Sequence, residues 1–233
     1  MNKELYISLA NVFQYPTGDE YIENLEACYQ LLKKHSKEAA ETFKPLLDYA
    51  NTHTLHDIEE VFAKTFHIQA LCYLDLGYVL FGEDYKRGEF LVQMQREMKE
   101  HNIDTGCELS DNLPFILLLL TKKDEEFVEE FVANVLQPCM KMMLVEFSQS
   151  RIDFRNRVMK RKYKIVIQQE LTKQEINLYE HALRALEMLI NKDYKNVKPF
   201  EKKTELPTLQ NNLDSFMNQN NVKTGCQVYN NIK

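Results

Sequence analysis

This chain of 233 residues has little backbone freedom to spend: six glycines and six prolines in all. Clean two-residue alternation of apolar and polar side chains is scarce, so an extended sheet has little to build on. No apolar run approaches the roughly 20 residues needed to cross a bilayer; the longest is Phe115 to Leu120. The first residues, MNKELYISLANVF, place Glu4 where a signal peptide would be basic, and read instead as an amphipathic helix. Five cysteines, widely spaced and without a C-x-x-C pair, exclude a disulfide framework and a zinc knuckle and suit a reducing compartment. Together these features lead us to expect a soluble, cytoplasmic protein. H-E-x-x-H and G-x-S-x-G are missing, and no Glu lies three residues before a His, which removes the usual di-iron spacing. No nucleophile and base can be paired from the sequence, so binding is the expected mode of action and an enzyme is not.

What is present is helical periodicity. Tyr179, Leu183, Leu186 and Ile190 continue a stripe begun by Ile176, after a capping box made by Thr172 and Glu175. Thr54 and Asp57 form an acidic variant of the same box. Val128, Phe131, Val132, Val135 and Cys139 form another stripe, which Pro138 should kink or shorten. Further helices are expected near 2–14, 19–35, 37–51, 84–101 and 111–121. The expectation is a single all-α domain over residues 1–192. From Asp193 to Lys233 the chain turns polar and Asn-rich, which suggests a mobile tail unless it docks.

Three of the six glycines fall within residues 76–88, LGYVLFGEDYKRG. Gly77 and Gly82 have the spacing of a phosphate loop, but Glu83 and Asp84 stand where its lysine and hydroxyl would be, and two carboxylates repel a triphosphate. The glycines are better read as a corner. Gly82 would leave one helix at positive φ, Glu83 and Asp84 would open the next, and Gly77 and Gly88 would admit close neighbours.

Charge is unevenly placed. The whole chain carries 29 basic and 35 acidic side chains, a formal −6. Residues 151–164 hold seven bases against one acid, with Phe154 and Tyr163 between them, which makes nucleic-acid binding one alternative. Residues 54–111 hold twelve acids against five bases, which suits a basic, apolar peptide better. His53, His56 and Glu60 share a helical face at i, i+3 and i+7, so a helical metalloprotein is a second alternative.

Four blocks then occur in order: Tyr15-Pro16 closing LANVFQYP, Phe66 in KTFHIQ, Gly82 with Arg87-Gly88, and Glu108 to Pro114 as ELSDNLP. In this order and spacing they resemble the NarJ-like branch of the TorD/DmsD redox-enzyme maturation chaperones. His67, Ser110 and Asn112 depart from that pattern. The resemblance implies an all-helical cytoplasmic chaperone. Its partner would be the apo catalytic subunit of a molybdenum oxidoreductase of the nitrate or DMSO reductase class, bound through the N-terminal leader. Cofactor-biosynthesis proteins are implied as further partners; nucleic acid and stable membrane insertion are not. The molybdenum cofactor would belong to the client, with none resident in the chaperone. Tyr73, Tyr78 and Phe81 are the expected apolar contacts to the leader, with Glu108 and Asp111 supplying charge. Gly82, Arg87, Gly88, Leu113 and Pro114 are the expected structural motif. Asp111 is also expected to cap the helix that follows it.

Overall fold

The computed structural model describes residues 1–18, 20–68, 70–158, 178–195 and 197. Its elements in chain order are α1 (Lys3–Val12), α2 (Glu20–His35), α3 (Lys37–Ala50), α4 (Leu55–Phe66), α5 (Leu76–Phe81) and α6 (Tyr85–Glu100). There follow α7 (Leu113–Leu120), α8 (Glu125–Phe131), a π-helical turn (Val132–Leu136), α9 (Gln137–Glu146), α10 (Gln149–Val158) and α11 (Leu178–Asp193). Among the described residues there is no strand, only one antiparallel bridge joining Asp75 and Asn112. The all-α expectation holds, and no described helix is long and apolar enough to cross a membrane.

Helix starts follow their side chains. Asn2 caps α1 and Ser36 caps α3. At α4 both halves of the capping box form, since the Thr54 hydroxyl accepts from the Asp57 N–H and the Asp57 carboxylate accepts from the Thr54 N–H at 2.9 Å. The expected stripe of α11 is buried at Tyr179, Leu183, Leu186 and Ile190. Its packing against α3, beside the α1–α2–α3 layers, makes the larger part of the core. His181, expected to be exposed, is half-buried. The Tyr21 hydroxyl ties the layers together, donating to the Val12 carbonyl at 2.7 Å and lying 3.0 Å from the Tyr179 hydroxyl.

Pro138 acts as expected, with a particular geometry. It sits in the first turn of α9, and having no N–H it cannot complete the preceding helical ladder. The chain answers with the π turn, in which the Gln137 N–H reaches back five residues to the Val132 carbonyl. The side chains of Val132 and Val135 stay buried through this turn.

The Thr172–Glu175 box, Ile176, Tyr163 and the rest of 159–177, and the tail beyond Val197, lie outside the described residues.

Candidate functional site

The glycine-rich corner is built by a carboxylate arriving from far along the chain. The first N–H groups of α5 need acceptors, and its N-cap residue, Asp75, makes no side-chain cap bond. Asp111 supplies one instead: its Oδ2 accepts from the Gly77 N–H at 2.8 Å, across 34 residues. The backbone on either side fixes this approach, with the Leu76 N–H donating to the Asp111 carbonyl at 3.0 Å and the Leu113 N–H to the Leu74 carbonyl at 2.9 Å. A Cβ at Gly77 would lie 2.7 Å from Asp111 Oδ2 and 2.9 Å from Phe90 Cδ1, so only glycine permits the contact.

This corrects two expectations for Asp111. Its carboxylate caps α5, and the residue at the N-cap of its own helix, α7, is Asn112, which makes no side-chain cap bond. It is also 0% exposed, which removes it from direct contact with a peptide on the surface. Burial pushes its acid constant up to about 6, helped by the nearby Asp75 charge and opposed by the Gly77 bond and Arg87. Asp75 is in turn engaged on both oxygens: the Asn112 amide donates to Oδ1 at 3.0 Å and Arg87 lies 3.7 Å from Oδ2. The Arg87 guanidinium also stands 5.0 Å over the Tyr78 ring.

The remaining motif residues divide. Gly82 ends α5 at φ 61°, as the corner requires. Leu113 and Pro114 are buried at the start of α7. Gly88 does not serve close packing: a Cβ there would meet nothing within 4 Å. It lies on an exposed face of α6, too far from any neighbour for the expected role.

Beside the corner an apolar groove of about 350 Å³ runs between residues 70–79, α9 and α10. Tyr73, Tyr78, Val79, Met142, Met143 and Phe154 form most of its wall. Tyr73, Met142 and Phe154 are 42%, 39% and 55% exposed, an unusual concentration of uncovered apolar side chains. The Tyr73 and Tyr78 rings meet at 4.4 Å, with Arg87 backing the latter. The groove therefore has one rigid aromatic wall and one pliable thioether wall. Cys72, at its floor, has its thiol constant raised by burial. At the rim Arg151 pairs with Glu146 through Nε at 3.1 Å. Arg155 is half-buried there, its acid constant lowered by desolvation and partly restored by Tyr73 and Glu146.

Of the five expected leader contacts, the structure thus brings Tyr73 and Tyr78 into one groove. Phe81 is not among its lining residues; it turns to Phe90, 6.0 Å away, on α6. Glu108 is exposed and lines a different pocket with Tyr15 and His67. Sequence reasoning missed Met142, Met143 and Phe154 as groove residues. Their only signal was the Met-rich stretch at 140–143 and an aromatic among the bases of α10.

The metal-binding set from the sequence does not gather. His53 stacks on Tyr49 at 3.7 Å ahead of α4, His56 lies 3.6 Å from Glu59, and Glu60 pairs with Lys64. Among the described residues Glu97, Glu100 and His101 do bring ligand atoms within 4.8 Å of one another. Lys123 already occupies Glu97 at 2.8 Å, and His101 Nδ1 lies 2.9 Å from the Glu97 carbonyl. Two arginines of the basic stretch, Arg151 and Arg155, serve the groove rim.

No protein-family model matches the chain, and no curated protein matches it significantly.

Proposed function

We propose that this chain is a maturation chaperone that binds the N-terminal leader of a molybdenum-containing oxidoreductase subunit and holds the apo-subunit for cofactor insertion. The observation that carries this reading is the Tyr73–Tyr78–Met142–Met143–Phe154 groove. Its volume suits a few apolar side chains of one helical turn, and its thioethers adapt to differing shapes. The ordered motif resemblance supports the choice of client class. The action is binding: the groove takes the apolar face of the leader, and the molybdenum cofactor travels with the client.

Calorimetric titration with a synthetic leader of a molybdenum-containing catalytic subunit tests this. Wild type should bind, and Met142→Glu should lose about tenfold or more in affinity, about 1.4 kcal/mol, with an unchanged melting temperature. Met142 is exposed enough for the charge to be tolerated. Equal binding by the variant would remove the leader from the groove. No binding by wild type would remove the client class.

A further inference from the structure

On the other side of the 70–75 segment from the groove lies a second pocket, of about 210 Å³. Tyr73 faces the first and Leu74 lines the second, as alternation along an extended segment requires. Its walls are aromatic. Tyr15 is 44% exposed, stacks against His67 at 5.9 Å with 26° between the ring planes, and meets the edge of Phe62 at 5.6 Å. Phe115 closes the far side. Glu108 is the one carboxylate in the lining, and among the described residues its side chain enters no hydrogen bond or ion pair; no lysine or arginine lines the pocket.

The backbone adds to this field. Helix α1 ends at Val12, just before the lining residues Phe13, Gln14 and Tyr15, and α4 ends at Phe66, just before His67. Two helix C-termini, each carrying partial negative charge, thus converge here. The N-terminus of α7 at Asn112 opposes them with partial positive charge, so the balance with Glu108 is negative.

From these walls we infer that the pocket is a subsite for a peptide arginine, whose guanidinium lies against the Tyr15 and Phe115 rings and pairs with Glu108. A planar, weakly hydrated cation stacks on aromatic faces where an ammonium would keep its water. The volume holds one long side chain. The inference rests on this pocket alone and does not require the leader to occupy the groove.

The test uses the capped tripeptide acetyl-Gly-Arg-Gly-amide, followed through the Tyr15 and Phe115 ring resonances. A matching tripeptide with citrulline keeps the shape and removes the charge. The arginine peptide should shift both rings at concentrations about tenfold below those citrulline needs. Glu108→Gln, at an exposed position, should abolish that advantage, and Met142→Glu should leave it intact. Equal response to citrulline, an advantage that survives Glu108→Gln, or tighter binding of free arginine than of the tripeptide would each overturn the subsite. Loss of leader binding in Met142→Glu with the arginine response kept would separate the two pockets.

Discussion

Asp111 and Gly77 form a pair in which each residue dictates the other. The carboxylate is accepted because residue 77 has no Cβ, and the first turn of α5 is satisfied because the carboxylate is there. Gly77→Ala should therefore cost about 1–3 kcal/mol through overpacking, read by urea unfolding. Gly88→Ala, three turns along the same glycine-rich region but facing open space, should gain about 0.5–1 kcal/mol by the same measurement. The elevated acid constant of Asp111 sets a pH signature. With a folded value of about 6 above an unfolded value near 3.8, its contribution to stability is fully present below pH 3.8 and is lost as pH rises through 6. Relative to Asp111→Asn, wild type should thus lose up to ~3 kcal/mol between pH 4 and 7. A flat difference between the two unfolding profiles would mean that the carboxyl stays ionised when buried.

At the scale of elements, the groove is unequal in its two sides. The 70–79 side is pinned by the Asp75–Asn112 bridge, the Asp111 cap and Arg87. Helix α10 has a single buried residue, Ile152, among its ten, and leans on α9 through the Arg151–Glu146 pair. Amide exchange should accordingly be fastest in α10 among the groove elements and slowest in α9, whose Cys139, Met140, Met143 and Leu144 are buried. Leader binding should slow α10 most. Equal protection of α9 and α10 in the free protein would show that α10 is held by more than Ile152 and one ion pair.

Over the whole molecule, charge and apolar surface are separated. The groove rim carries Arg151, Arg155 and Glu146, while the pocket at Tyr15 carries Glu108 alone. An apolar leader in the groove should lose less than about tenfold in affinity between 50 and 300 mM salt, because the exposed rim charges are screened and the apolar contact is not. Random duplex DNA, if bound by the basic stretch, would lose affinity far more steeply. Titrations of both ligands over that range distinguish the leader reading from the nucleic-acid alternative in one experiment.

Periodicity and caps were enough to write most helices within a residue or two, because a helix start is decided by neighbours three or four positions away. Thr54 with Asp57, and Pro138 with the turn before it, are local bargains of this kind. Gly82 was legible for the same reason, since a helix exit at positive φ concerns one residue. The site was legible only in part. Tyr73 and Tyr78 share a groove as expected, but Phe81 turned to Phe90 and Glu108 joined a separate pocket. Asp111 looked like the cap of the helix beside it, and became the cap of one 34 residues earlier. Such contacts depend on how helices are laid against one another, which no local spacing encodes. The sequence by itself determined where the chain is helical and where it turns; the tertiary packing decided which turns meet, because a buried carboxylate takes whichever N–H the fold brings within 3 Å.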